Sequence, residues 1–285
     1  MADSIGVLAD MGARLESGFR TAVDITDRIP YTSESLKFEF QRLEQEALLG
    51  VAGKYNSDQG VKFASGDVNV DMVYTTEVGA VFLSADQFLY WAMGTATWDT
   101  DRSNQLTLQD DLARFGTIAI DKQVTIWEAI SCYVKSMTLS CETTGFMKGV
   151  FTFQPYNMII TGAKNEAAEF TALPNVEPNR CIGTDSIFYI ASDFSDALAT
   201  GDKIGISNWS LSLDNKLTDD EYTTVEASGH TTNTFPIQPV RNGFREVKFE
   251  FTLPRYAADT YITGKVNNTP FQAKIVFTDP SDSDN

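Results

Sequence analysis

His230 is the single histidine of the chain, and Ser228 precedes it in Ala227-Ser228-Gly229-His230-Thr231-Thr232. Acyl transfer by such a pair needs a third group to orient the imidazole, and the serine usually sits on a G-x-S-x-G elbow. No elbow is present, and adjacency in sequence is not triad geometry, so His230 reads as a loop residue without a chemical role. With one histidine the common zinc ligand sets are also hard to assemble. Asp99-x-Asp101-x-Ser103-Asn104-Gln105 through Asp110 partly imitates a calcium loop. Asn104 stands where that loop needs glycine, however, and Asp110 where it needs a bidentate glutamate. The pair Asp110-Asp111 and the run Asp219-Asp220-Glu221 could suggest paired-carboxylate hydrolysis. In so acidic a chain they read as solvated loop charge. Gly201-Asp-Lys-Ile-Gly205 has neither phosphate-loop nor dinucleotide spacing. No catalytic, cofactor-binding or metal-binding residue is expected, and the chain does not read as an enzyme.

The charge balance points elsewhere. The chain has 285 residues, with 22 Lys plus Arg against 39 Asp plus Glu, a formal net charge of −17. Tight binding to DNA requires a basic surface that displaces condensed counterions. This surface repels DNA, which suits a conduit whose cargo must not adhere, and it equally keeps an abundant protein soluble. Hydrophobic residues at 42% and charged residues at 21% mark an ordered globular chain. Met1-Ala-Asp-Ser does not open a secretory signal, and no apolar run reaches the roughly 18 residues of a membrane span. Cys132, Cys141 and Cys181 lack metal-like spacing and read as free, mostly buried thiols. Trp91, Trp98, Trp127 and Trp209 sit in apolar or alternating contexts and read mainly as core.

The elements that carry these residues are mostly strands. Residues 1–28 read as an extended N-terminal arm. Leu36, Phe38 and Phe40 alternate with Lys37 and Glu39, and Val68, Val70 and Met72 alternate with Asn69 and Asp71. Both runs have the period of two of half-buried strands. Gln41 to Gly66, between them, reads as a long polar insertion, with Leu43-Glu-Gln-Glu-Ala-Leu-Leu as a helical turn inside it. A helix is predicted over Ala85, Phe88, Leu89 and Ala92, capped by Ser84 and stopped by Gly94. Further strands are expected at 124–130, 133–141 and 149–154, followed by a linker over 161–180.

The second half echoes the first. Trp209, Leu211 and Leu213 alternate, a polar loop spans Asn215 to Gly243, and Val247, Phe249, Phe251 and Leu253 alternate again. Pro254 can open a short helix to Ile262, and Phe271 to Phe277 reads as a closing strand. Strand, long loop, strand, helix and strand recur at an offset of about 175 to 180 residues, the pattern of an internal duplication. A chance echo within an all-β chain is the alternative.

Several of these stretches resemble the tail tube proteins, or major tail proteins, of long-tailed bacteriophages. Ile29-Pro-Tyr-Thr-Ser-Glu-Ser-Leu36, Leu48-Leu-Gly50 and Ala64-Ser-Gly-Asp67 are similar to that family's first strand approach and loop markers. Val134-Lys-Ser-Met-Thr-Leu-Ser140 before Gly149-Val-Phe-Thr-Phe153 is similar to its central strands. Ser210-Leu-Ser-Leu-Asp-Asn215 with Gly243-Phe-Arg-Glu-Val247 is similar to its later repeat. The resemblance covers most of Ile29 to Asp279. It implies a mainly β protein with two tandem tail-tube-type β-sandwich domains, each with a short flanking helix, giving strands to a ring-shaped β-barrel. The expected division is an arm at 1–28 and domains at 29–165 and 166–285. The implied function is a virion structural subunit, made in the bacterial cytoplasm, whose stacked rings form an acidic-lined conduit for genome delivery. Trimeric pseudo-sixfold rings are preferred, with a hexamer as the alternative. Leu43, Leu48, Leu49 and Val51 become candidates for inter-ring contact. Implied partners are further copies of the chain and the tape-measure, terminator and baseplate proteins, with phage DNA passing through unbound. A capsid decoration protein and a monomeric β-sandwich binding module are the competing readings.

Overall fold

The computed structural model describes residues 9–44, 57–77, 80–83, 85–97, 105–108, 114–160, 162–175, 179–192, 197–218, 222, 235–254, 264, 267 and 270–277. The chain opens with β1 (Asp10–Leu15) and β2 (Asp27–Arg28), then β3 (Tyr31–Glu34), β4 (Lys37–Glu44) and the long β5 (Ser57–Asp71). A small sheet holds β6 (Val73–Glu77) and β7 (Ala80–Leu83), followed by α1 (Asp86–Met93) and the hairpin β8 (Gly94–Thr97) and β9 (Gln105–Leu108). The centre comprises β10 (Gly116–Asp121), β11 (Ile126–Glu142), β12 (Lys148–Gln154) and β13 (Asn157–Ile159). The last part contains α2 (Ala167–Ala172), β14 (Asn179–Arg180), β15 (Ser186–Ala191), β16 (Lys203–Ile204), β17 (Asn208–Asp214), β18 (Glu246–Thr252) and β19 (Gln272–Phe277).

The fold is a mainly β sandwich, and β11 is the strand that makes it so. Its first part pairs with β10 and β13, and its second part pairs with β12 and β17. The change of partners falls at Ser131, whose φ of 49° turns the strand from one layer into the other. The expected strands 124–130 and 133–141 are therefore one element. The expected division at 165/166 falls within a single eleven-stranded sheet, because β17 pairs along β11 from Ser136↔Asp214 to Glu142↔Asn208.

Between the layers lie Met11, Ile118 and Ile120 from one and Val68, Val70, Met137 and Phe151 from the other. Helix α1 lays Phe88 onto Phe151 and Phe153 at ring separations of 5.4 and 4.8 Å. Each such ring contributes about 1.5–3 kcal/mol on burial. The helix begins after Ala85, in a left-handed conformation, and ends at Gly94 with φ 100°. Gly94 is the expected stop, whereas Ser84 lies outside the described residues. Close packing also fixes Gly116: a Cβ there would lie 2.1 Å from the Trp91 ring and 2.4 Å from the Arg14 carbonyl oxygen.

The expected arm is built into the sheet from Asp10 onward. β1 pairs along the whole of β10, and Met11 and Ala13 are fully buried. Of the expected insertion, residues 41–44 and 57–65 belong to a paired stem, with β4 and β5 matched from Lys37↔Ser65 to Glu44↔Ser57. The expected linker holds α2, where Glu166 and Glu169 form a reciprocal capping box and Arg28 donates to the Phe170 carbonyl at 3.1 Å. The short helix expected from Pro254 to Ile262 falls mostly outside the described residues.

Candidate assembly surface

The arrangement that organises this molecule for work is a run of six strands, β4–β5–β12–β11–β17–β18, each antiparallel to the next. Strand periodicity sends alternate residues to opposite faces. Facing the core are Val68, Phe151, Met137, Leu213 and their alternates. The opposite face reads across the strands as rows. One is Asn69, Val150, Thr138, Ser212 and Lys248; a second is Asp71, Lys148, Ser140, Ser210 and Glu250; a third is Asp67, Thr152, Ser136, Asp214 and Glu246. Hydroxyls and amides share this face with charged side chains. Its charges are mostly carboxylates, from Glu39, Asp67, Asp71, Glu142, Asp214, Glu246 and Glu250, against Lys37, Lys148, Lys216 and Lys248.

Electrostatics on this face are local. Lys216 Nζ bridges Asp214 Oδ2 at 2.6 Å and Glu246 Oε2 at 3.0 Å, tying the ends of β17 and β18. Burial alone would raise the Asp214 carboxyl, but the Lys216 contacts hold it below its ordinary 3.8. Hydrogen bonds to Asp214 and then Glu246 raise the Lys216 ammonium.

Among the described residues both ends of the run are open: β18 is hydrogen-bonded into the sheet only by β17, and β4 only by β5. Such edges present a row of unpaired backbone donors and acceptors that native proteins normally cover. Here they are flanked by apolar side chains: Val247 is 50% exposed, Phe40 is 50% exposed, and Phe244, just before β18, is 96% exposed. Such a surface is built for association rather than for chemistry.

A family profile described as phage tail tube protein matches residues 6–285, nearly the entire chain. The chain belongs to the phage tail tube protein family. A search of curated proteins returned no match. Membership makes the chain a structural subunit of the phage tail tube, a component of the virion tail that assembles with itself. The mainly β sandwich accords with the fold expected of such a subunit.

Within this tail tube subunit the expected assembly residues are only partly placed. Leu43 lies on β4 and is 49% exposed, toward the end of the described stem. Leu48, Leu49 and Val51 lie outside the described residues, as do His230, Ser228, Asp99, Asp101, Ser103, Asn104, Asp110, Asp111 and the run Asp219 to Glu221. Gly201 and Gly205 meet open space: among the described residues no heavy atom comes within 4 Å of a Cβ built on either. Among the described residues no cluster of three or more His, Cys, Asp or Glu side chains is placed to hold a metal. All three cysteines are buried thiols outside any disulfide. The Cys141 thiol, in a 430 Å³ surface depression with Glu142, Phe146 and Trp209, is pushed up to about 11, chiefly by burial and then by Glu142. It is therefore a poor nucleophile at neutral pH.

Sequence reasoning missed the open edges, because a strand's pattern shows which face is buried but not whether a neighbour lies beside it. It also missed a buried polar network. Glu16 Oε1 accepts from Thr117 Oγ1 at 2.7 Å and from Ser131 N at 2.8 Å, and Oε2 accepts from Ser131 Oγ at 2.6 Å. Glu128 accepts from Asn165 Nδ2 at 2.6 Å, and Asn165 Oδ1 accepts from Ile25 N at 2.8 Å. A glutamate within the apolar run Ile126-Trp-Glu-Ala-Ile was the available signal.

Proposed function

We propose that this subunit closes with further copies into rings, and that the rings stack into a conduit through which phage DNA passes without specific binding. The observation that carries this reading is the six-stranded run with a polar, mostly acidic face and two edges that are open among the described residues. Closing it across copies removes the edges, and the hydroxyl-rich face becomes the lining of the bore. A lining in which carboxylates outnumber lysines, and in which Lys37, Lys216 and Lys248 are paired with Glu39, Asp214, Glu246 and Glu250, offers DNA little counterion-releasing contact.

Three chains per ring is the preferred stoichiometry. Eighteen strands at about 4.8 Å spacing and roughly 35° tilt enclose a barrel roughly 34 Å across between backbones. With side chains about 5 Å deep on the lining, half the sheet-to-sheet spacing, the bore fits a single duplex. Six chains would double the barrel width. The two tandem tube-type domains proposed to meet near 165/166 would contribute unequally to this ring, four strands (β4, β5, β11 and β12) from the first and two (β17 and β18) from the second, within one shared sheet. The β4–β5 stem carrying Leu43, with Leu48, Leu49 and Val51 in the segment that joins the two strands, is proposed to bridge rings, as are the residues before Asp10. Tape-measure, terminator and baseplate proteins are the proposed partners, the bacterial cytoplasm the proposed place of synthesis, and catalysis is absent from the role.

Negative-stain electron microscopy of the concentrated protein, in moderate salt that screens the net charge, tests the reading. Hollow tubes with a regular ring repeat and threefold end-on averages are expected. Monomers in every condition, including addition of tail-tip complexes as initiators, would reject it.

A further inference from the structure

We infer that ring closure joins β18 of one copy to β4 of the next in a single register: Val247 opposite Phe40, Lys248 opposite Glu39, Phe249 opposite Phe38 and Glu250 opposite Lys37. The inference rests on the ring reading above and adds to it the two edges and their alignment.

Strand direction comes first. Every step from β4 to β18 is antiparallel. Because the number of strands is even, the outer two run in opposite directions. Copies related by rotation therefore set β18 beside β4 antiparallel, and the alternation continues unbroken around the ring.

Facing comes second. Val247, Phe249 and Phe251 pair with Leu213, Leu211 and Trp209 on the core side of the sheet. Phe38 lies on that same side, opposite the buried Ala64, and Phe40 follows it by one strand period. An odd shift between the edges would send one apolar row to the polar face. Even shifts bring the two rows together, Val247 and Phe40 each half exposed in the single chain.

Charge then selects among the even shifts. Lys37 and Glu39 pair along β4 at 2.9 Å, and Lys248 and Glu250 pair along β18 at 2.8 Å. All four side chains are between 44% and 61% exposed. In the inferred register these two pairs meet head to tail as an alternating square. With Val247 opposite Phe38, Lys248 faces Lys37 and Glu246 faces Glu39, an arrangement that like-charge repulsion disfavours. With Val247 opposite Leu36, Phe249 lands on the carboxylate of Glu34.

Barrel geometry gives an independent check. Within one copy the row through Val247 runs to Leu213, Met137, Phe151, Val68 and Glu34. Pairing Val247 with Phe40 rather than Glu34 staggers the ring by six residues over six strands. One residue of rise per strand spacing corresponds to a tilt of roughly 35°, inside the range that closed barrels adopt.

Paired cysteines test the register. In the full chain, Glu39→Cys with Lys248→Cys places two thiols on directly opposed positions, within reach of a disulfide. The native cysteines are buried and will not compete. Mild oxidation of assembled tubes should give covalent multimers that end at a closed ring. Lys37→Cys with Lys248→Cys, the register two residues away, should give none. A second measurement leaves the thiols out: Glu39→Lys should raise the concentration needed for assembly about two- to fivefold, and adding Lys248→Glu should restore it. Tubes that form but cross-link through 37 and 248, or through neither pair, overturn the register and leave the ring reading standing. A native chain that never forms rings overturns both.

Discussion

Ser131 donates to both carboxylate oxygens of Glu16, its backbone N–H to Oε1 at 2.8 Å and its hydroxyl to Oε2 at 2.6 Å. The same residue holds the left-handed conformation at which β11 passes between layers. One buried side chain from the N-terminal segment thus satisfies the backbone at the strand's bend, where ladder pairing is interrupted.

Glu16 makes this junction sensitive to pH in a definite direction. Burial raises its carboxyl above the ordinary 4.5; donors from Ser131 and Thr117 pull the other way, and the nearby Glu128 carboxylate adds to the rise. A raised folded-state value means a contribution fully present below about 4.5 and lost as pH climbs through the folded value. Glu16→Gln, which cannot ionise, should therefore gain stability relative to the native chain as pH rises through that window. Denaturant midpoints measured across pH check this; a constant difference would contradict it.

Gly116→Ala should destabilise the chain by about 1–3 kcal/mol, because the added methyl runs into the Trp91 ring and the Arg14 carbonyl. Gly201→Ala, which meets open space, should change it by less than about 0.5 kcal/mol. Chemical denaturation of the two variants side by side measures the contrast.

Asn215 is fully buried and donates through Nδ2 to the carbonyls of Ala92 at 3.1 Å and Val134 at 2.8 Å, joining α1 to β11. Asn215→Leu strands both acceptors, for a loss of about 1–3 kcal/mol. Thermal unfolding should show it, and tryptophan fluorescence should report a loosened setting for Trp91, one residue from Ala92.

Strands with one wet face were readable in the sequence. β4, β17 and β18 alternate cleanly because one side meets the core and the other is polar. β10 escaped because five of its six residues, Gly116 to Ile120, are buried on both faces and show no alternation. β1 escaped because Gly12 and Ala13 are small, chosen by the closeness of Ile25 and β10 rather than by hydropathy. The stem of the β4–β5 hairpin read as a loop because Phe40, Gln41, Arg42 and Leu43 are all exposed. Leu43 could be nominated for assembly from sequence; the edge residues of β18 could not, since an unfilled hydrogen-bonding position leaves no mark on side-chain pattern.

Ser210→Lys with Ser212→Lys should leave the single chain's stability within about 0.5 kcal/mol, since both lie on the polar face of β17. Tubes built from that variant should retain duplex DNA in sedimentation, and salt should release it steeply. Tubes that stay free of DNA would move the lining to another face.

The continuity of β11 has a mechanical meaning. Ile126 to Glu142 is one covalent strand clamped in both layers, by β10 and β13 at one end and by β12 and β17 at the other. A pull along it must slide many hydrogen bonds at once rather than peel them singly. In the proposed ring, hoop stress entering a subunit at one edge would therefore cross from one layer to the other through peptide bonds, which would make β11 the tensile member and the stretch whose weakening would soften the tail first.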